Sequence, residues 1–334
     1  MIAPAFTRSS EWWEPKITLM IGLGLMVCYP YFGEMSLGIV GFLFQLILAL
    51  VAGAVYVSLI NDYTDLEEDL LAGKPNRLQK ISPFIRKGLI AISVAIIFLF
   101  IYLLWDYPVG LGFFIASKVS YTMYSFRPFR LKARGIWGIL ADACGAHVFP
   151  TLGMFAFLSE FFTASVDWEA MVIFGVWSFL YGLRGILSHQ YWDRDHDMLA
   201  GGKTFASQFP REIIQRLEIL FVVVEITSFV LLLFYFGLFP LLIAIFFYLC
   251  YVWLISRYTD HRFVLILQSG LDPNWNILMA AYYQLVLPVT LLGMLVFFNP
   301  WFLLACGFFV LLFPNEWMKN LSLMKSLIAS KTVA

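Results

Sequence analysis

The sequence predicts an all-α membrane protein, a polytopic helical bundle. Three observations carry that reading. The 334 residues are 61% hydrophobic and only 13% charged, with a mean hydropathy of +0.82, whereas soluble domains carry about 25% charged residues. Apolar segments of spanning or near-spanning length recur along the whole chain. The loops between them alternate between basic and free of basic residues.

The apolar segments run at 16–31, 37–60, 88–105, 109–124, 136–158, 169–189, 214–236, 238–256, 276–297 and 300–314. The last is short, which suits a tilted or re-entrant segment, so nine or ten spans are expected. One set of loops holds Arg8 and Lys16, the group Lys74 to Lys87, the group Arg127 to Arg134, Arg194 to Arg216, Arg257 and Arg262, and Lys319 to Lys331. The intervening loops hold no Lys or Arg. The positive-inside rule puts the first set, and both termini, in the cytoplasm. Trp12, Trp13, Trp105, Tyr107, Trp168, Trp301 and Trp317 stand near span ends, as an interfacial aromatic belt requires. No cleavable leader is recognisable, so the first span is expected to be retained. The four cysteines all fall in apolar runs and imply no disulfide framework. The expected whole is one integral-membrane domain over 1–334, set in a bacterial inner membrane, with membrane lipid around it and no nucleic-acid partner.

One stretch interrupts the apolar pattern sharply. Asn61 to Arg77 reads Asn-Asp-Tyr-Thr-Asp-Leu-Glu-Glu-Asp-Leu-Leu-Ala-Gly-Lys-Pro-Asn-Arg and follows directly on the segment 37–60. Residues four apart lie about 40° apart on a helix. A helix continuing through the stretch therefore aligns Asn61, Asp65 and Asp69, with Glu68 beside them. Such a set of oxygen donors suits a hard cation such as Mg²⁺. The plain alternative is a solvated acidic loop.

A second acidic group tests that alternative. Gln190 to Thr204 also follows an apolar span and also falls in a basic loop; Asp193 and Asp197 are four apart. Two carboxylate groups facing one another repel unless cations lie between them. Mg²⁺ takes one or two carboxylates together with phosphate oxygens, and Lys74, Arg77, Arg130, Lys132 and Lys203 are available for the remaining oxygens of a polyphosphate. An anion held in this way beside an apolar interior describes a lipid diphosphate.

All but two of the 22 Lys and Arg residues lie in the basic loops or termini. Lys118 and Arg184 lie inside spans, where a charge costs about 2.5–3.5 kcal/mol on insertion scales and is usually kept for a function. Lys118 begins a polar stripe with Tyr121, Thr122 and Ser125. Both cations are candidate diphosphate ligands; the alternative is that each pairs with an inward carboxylate.

These motifs resemble the UbiA family of intramembrane prenyltransferases. Asn61, Asp62, Asp65 and Asp69, followed by Arg77, match the family's Asn-Asp-x-x-Asp-x-x-x-Asp pattern, and Asp193 and Asp197 match its Asp-x-x-x-Asp, with Gly201 and Thr204 beyond. Tyr124-Ser-Phe-Arg-Pro128-Phe-Arg-Leu-Lys132 is similar to the central motif of the chlorophyll-synthase-like branch. The resemblance covers roughly residues 10 to 300, with the motifs in order. It implies a nine-helix bundle around a cavity open to the cytoplasm. It also implies one Mg²⁺ on Asn61, Asp65 and Asp69, another on Asp193 and Asp197, and phosphate contacts from Arg77, Lys132 and Lys203. The sequence departs where ubiquinone-type members carry Tyr-x-x-x-Lys, because Pro128 stands four residues after Tyr124; this argues against 4-hydroxybenzoate as acceptor. His189 and Gln190 also depart from the common pattern.

The expected reaction is ionisation of an allylic isoprenyl diphosphate and transfer of the prenyl group to a lipophilic, aromatic acceptor. Tyr121 and Tyr124 are the candidates to stabilise the carbocation, and Asp62 to take the proton left after alkylation. Asp142 and His147 are candidates to line the acceptor pocket. The alternatives are a UbiA-type terpene cyclase, in which the prenyl chain captures its own cation, and a transporter or channel with acidic rings. The second predicts inverted repeats and Gly- or Pro-broken midplane helices, whereas the acids here gather at one face, in loops.

Overall fold

The computed structural model of the chain describes residues 8–71, 73–199, 204–268 and 276–331, apart from the side chains of 196, 197, 199, 316 and 329–331. The described residues are helical, with one isolated bridge, Val264 to Asn276. In order the α-helices are α1 Ser9–Trp12, α2 Thr18–Cys28, α3 Leu37–Leu71, α4 Pro83–Leu103, α5 Pro108–Ser125, α6 Ile136–Ala143, α7 Phe149–Thr163, α8 Trp168–Leu199, α9 Phe205–Gln208, α10 Arg211–Tyr235, α11 Phe239–Tyr258, α12 Leu287–Phe298, α13 Leu303–Leu312 and α14 Pro314–Lys331. Wider π-helical turns at Trp13–Ile17, Cys144–Val148 and Ile277–Val286 join α1 to α2, join α6 to α7 and lead into α12.

Among the described residues eight helices are long and apolar enough to cross a membrane, and nine if Pro300–Leu312 and Trp317–Ile328, which are bent by 84°, count as one span. The bend accounts for the short final apolar segment. The segment 109–124 is a helix, α5, but Lys118, Ser117, Ser120 and Thr122 make it too polar to count on hydropathy. One face of it is nonetheless buried, through Gly110, Leu111, Phe114, Ser117, Tyr121 and Ser125. On α4, by contrast, Phe84, Ile92, Phe98 and Leu99 are exposed, as a surface meeting lipid allows, because hydrocarbon does not penalise apolar side chains.

Two helices outrun the membrane. At 1.5 Å per residue, the 35 residues of α3 extend about 52 Å and the 32 of α8 about 48 Å, against a hydrocarbon core of about 30 Å. The surplus of each is its C-terminal end, where the acidic residues lie. Long spans thus continue as helix past the bilayer and carry both motifs out on ordered backbone.

The chain folds into two compact units, Met1–Trp12 with Gly41–Ser228, and Trp13–Val40 with Phe229–Ala334. In the first, α5 lies against α7, where Glu160 accepts from Val109 N at 3.0 Å and Gly110 N at 2.9 Å. These are free N-terminal amides of α5, so the carboxylate caps the helix. Ile139 and Ala143 of α6 pack on Leu180, Leu183, Ile186 and Leu187 of α8. In the second unit α2 packs on α12, with Gly22 giving the close approach to Leu287. Asn276 caps the π-helical stretch by accepting from Leu278 N and Met279 N at 3.1 and 2.9 Å.

Candidate functional site

All the described motif residues belong to the first unit. The end of α3 presents its oxygen donors to three different sets of partners. Asn61 Oδ1 accepts from Ser125 Oγ at 2.8 Å. Asp65, 23% exposed, accepts from Lys132 Nζ and from Arg130 at 3.2 Å. Arg130 also pairs with Glu68. Asp69 Oδ2 accepts from Asn76 Nδ2 at 2.8 Å, and the same amide group donates to the Asp62 carbonyl at 2.9 Å. Asn76 Oδ1 in turn accepts from Leu78 N at 2.9 Å. This buried asparagine folds the 73–78 turn back onto the helix that precedes it.

Asp62 behaves differently from its neighbours. Its side chain is 1% exposed, with Arg8 Nε donating to it at 2.9 Å and Arg77 standing 4.0 Å away. Arg77 also pairs with Glu11. A carboxylate so enclosed and so matched in charge suits a clamp joining the N-terminal segment to α3. It does not suit the proton acceptor expected from the sequence.

The connector after α5 delivers the cations. Arg130 adopts a left-handed backbone, φ 39°, which for a non-glycine residue costs roughly 1–3 kcal/mol and is tolerated where the surroundings impose it. Here Arg130 N donates to Phe126 O at 2.7 Å while the guanidinium reaches Asp65 and Glu68. Burial pushes the Lys132 ammonium below the usual lysine range, and Asp65 opposes that shift. Lys132 Nζ also stands 6.0 Å over the Tyr124 ring. Tyr121 meets Tyr124 edge-on at 5.8 Å and donates to Asp142 Oδ1 at 3.1 Å. His147 lies on the π-helical turn with its ring 5.1 Å from Tyr181. Lys74 is exposed to solvent.

The second acidic group sits at the end of α8. Asp193 is 55% exposed and pairs with His189 Nδ1 at 3.2 Å. The Asp197 side chain and all of Lys203 lie outside the described residues. Gln190 Oε1 accepts from Ala206 N at 3.3 Å, and Arg194 Nε donates to Ala206 O at 2.9 Å. These bonds fasten α9, capped by Thr204, back onto α8. Gln208 at the end of α9 then abuts Gly135, where a Cβ would stand 3.2 Å from Gln208 Nε2. Gly135 has φ +55°, so both the fold and the space call for glycine. A continuous path therefore leads from Asp65 through Lys132 and Gly135 to Gln208 and the end of α8.

The two cations inside spans part company. Arg184 is fully buried between Glu225, at 2.7 Å, and Glu218, at 3.6 Å, both on α10. That pairing is the alternative the sequence left open, and it supplies Arg184 with carboxylates of its own. Lys118 has no carboxylate partner among the described residues; its ammonium donates to Ser117 Oγ at 3.3 Å and lies 4.8 Å over the Phe114 ring.

Several contributors escape sequence reasoning. Arg8, Asn76, Glu218 and Glu225 belong to no motif and stand 34 to 54 residues, or 14 in the case of Asn76, from the atoms they hold. The intramembrane Arg184 was the one available signal, since it called for a buried carboxylate.

Among the described residues no three His, Cys, Asp or Glu side chains form a ready cage for a metal. The donor chemistry still fits Mg²⁺, which completes its shell with water and substrate phosphates and needs only one or two carboxylates. Asn61 and Asp65 offer oxygen donors of that kind on one face.

No curated protein sequence matches the chain. Two solved structures share its fold. A UbiA homolog from Archaeoglobus fulgidus bound to GPP and Mg²⁺ aligns with a TM-score of 0.58 at 15% identity, covering 89% of this chain and 97% of that one. A UbiA homolog from the same organism bound to DMAPP and Mg²⁺ aligns with a TM-score of 0.57 at 15% identity, covering 86% and 98%. The model of the UbiA prenyltransferase family matches residues 17–264. This chain is a member of the UbiA prenyltransferase family.

Proposed function

We propose that the chain is a Mg²⁺-dependent prenyltransferase that ionises an allylic isoprenyl diphosphate and transfers the prenyl group to a lipophilic aromatic acceptor. One observation carries the reading. The oxygen donors at the end of α3 are faced by Lys132 and Arg130, and the connector that supplies these cations touches the segment fastened to the end of α8. Family membership and the diphosphate ligands named for the two A. fulgidus structures support the use of a prenyl diphosphate. The site works at the cytoplasmic face of a bacterial inner membrane, in keeping with the basic loops.

Asn61, Asp65 and Asp69 on α3 and Asp193 and Asp197 on α8 are the metal ligands in this reading. Mg²⁺ bound there supplies positive charge against the diphosphate. Arg130 and Lys132 are the protein's own contribution to the leaving group. Once a diphosphate replaces part of their present pairing with Asp65, they oppose its growing negative charge as the allylic C–O bond breaks. Arg77 and Lys203 are assigned the outer phosphate oxygens, and Lys74 a weaker, solvent-screened role. The crossed rings of Tyr121 and Tyr124 offer π faces to the allylic cation. The acceptor carbon then forms the new C–C bond and loses a proton. Asp142, bonded to Tyr121, is the carboxylate best placed to receive it.

The experiment is a product assay. Purified protein is incubated with Mg²⁺ and prenyl diphosphates of several lengths, with and without aromatic acceptors. Pyrophosphate release that requires the acceptor, with a prenylated product, is the expected result. A hydrocarbon or terpene alcohol released without acceptor would replace transfer by cyclisation, and no consumption of any prenyl diphosphate would end both readings.

A further inference from the structure

We propose that a polar seam between α8 and α10, with Arg184 at its depth and Arg211 at its mouth, positions the second acidic motif. The seam fixes the height and rotation of α8, and with them the direction in which Asp193 faces. The inference rests on the reading above that Asp193 binds Mg²⁺, and it gives the buried ion group a part in that site.

A row of polar ties joins the two helices. Arg184 Nη1 pairs with Glu225 at 2.7 Å and Nη2 with Glu218 at 3.6 Å. Nearer the motif, Gln215 Nε2 donates to Tyr191 OH at 3.2 Å. The Arg211 guanidinium lies 5.4 Å over the Tyr191 ring and donates to Asp195 Oδ2 at 2.9 Å. On α10, residues 211, 215, 218 and 225 recur at steps of four, three and seven, which is one helical face. On α8 the ties fall on the side away from Asp193. Nine residues make two and a half turns, so Arg184 lies about 180° around the helix from Asp193 and about 13 Å along it. Tyr191 and Asp195, two residues to either side of Asp193, lie about 160° around. α10 therefore holds the back of α8 and leaves Asp193 facing the other way. A diphosphate held at Asp193 is out of reach of Arg184, so the role of diphosphate ligand expected from the sequence does not fit.

Stability alone does not account for a buried ion group. Apolar side chains of similar volume often do as well or better in its place. What charge adds is selectivity among alignments. An apolar face slides or turns past its neighbour at little cost. The Arg184 fork, by contrast, meets carboxylates seven residues apart on α10 at one height only. Arg184, Glu218 and Glu225 are all buried, and one helical turn of slip, about 5.4 Å, would part them. The same slip would carry Asp193 a full turn from its place. Further up, the Tyr191 ring and Asp195 are both held by Arg211, so the last turns of α8 are also tied against rotation.

The test counts bound metal, apart from turnover. Mn²⁺ stands in for Mg²⁺ at carboxylate and phosphate oxygens. Its uptake by the full-length protein in the presence of inorganic pyrophosphate is measured by electron paramagnetic resonance. Wild type should take up two ions, one at each motif. A triple variant, Arg184→Met with Glu218→Leu and Glu225→Leu, replaces the buried ion group by apolar side chains. Its melting temperature in detergent should be kept, while the second ion should bind about tenfold or more weakly, as loss of a supporting shell predicts. Arg211→Met cuts the seam at its partly exposed end and should weaken the second ion about threefold, in keeping with a screened ion pair. This variant decides the matter where the triple one does not fold. Glu160→Gln, which loosens the cap of α5 in the same unit, is the control; it should lower the melting temperature and leave Mn²⁺ uptake unchanged. Two ions bound as tightly by the triple variant and by Arg211→Met as by wild type overturns the proposal. Equal weakening in Glu160→Gln also overturns it, since the effect would then be general. Fewer than two ions on wild type would instead refute the parent reading.

Discussion

The two acidic ends of the first unit are built differently. At the end of α3 the carboxylates are sheltered and already answered by cations, Asp62 by Arg8 and Asp65 by Lys132 and Arg130. At the end of α8 Asp193 stands 55% exposed with a histidine one turn away. In the proposed reading the first is an organised receptor, with positive charge in place before substrate arrives. The second is more open, and in the proposed reading a ligand completes its interactions. Preorganised charge is what accelerates ionisation, since it needs no rearrangement in the transition state.

The largest effect should come from removing the carboxylates themselves. Asp65→Ala and Asp193→Ala are each expected to lower pyrophosphate release about 1000-fold, equivalent to about 4 kcal/mol at 1.36 kcal/mol per decade. The comparison predicts a difference beneath that shared loss. Asp65→Ala strands Lys132 and Arg130 and should lower the melting temperature in detergent, whereas Asp193→Ala should leave it unchanged. Identical thermal behaviour would erase the distinction between the two ends.

Next comes Arg8→Met. Breaking a buried ion pair costs 3–5 kcal/mol; Arg8 is 31% exposed, so about 2 kcal/mol is expected after allowing for solvent screening. A melting point shifted by less than a degree would show that Asp62 finds another partner. Asn76→Ala is expected to cost about 1 kcal/mol, because it unties the Asp62 carbonyl and Asp69 together. Turnover should fall with it through misplacement of Asp69; unchanged KM for Mg²⁺ would argue that Asp69 is dispensable. The smallest effect belongs to His189→Ala. Its pair with Asp193 is exposed, so stability should change by less than about 0.5 kcal/mol. A large loss would mean that the α8 end is as tightly built as the α3 end.

Much of this architecture is legible in the chain itself. The oxygen donors at 61, 65 and 69 and the acids at 193 and 197 announce themselves because helical periodicity is local, and the spans because lipid demands apolar runs. Arg184 and Lys118 look alike in sequence, each a lone cation in a span. Nothing within a few residues of either tells which has a counter-ion, since Glu218 and Glu225 arrive from α10. Asp62, read from its place in the motif, looks free to act as a base until Arg8 comes across from 54 residues away.

The sequence by itself therefore determined the membrane class, the helices and the placing of both acidic motifs at helix ends, because each follows from composition or from a repeat of a few residues. Only the tertiary structure decided which charges are neutralised and by which partners. Pairing energy depends on distance in space and on burial, and the partners here come from helices far apart along the chain.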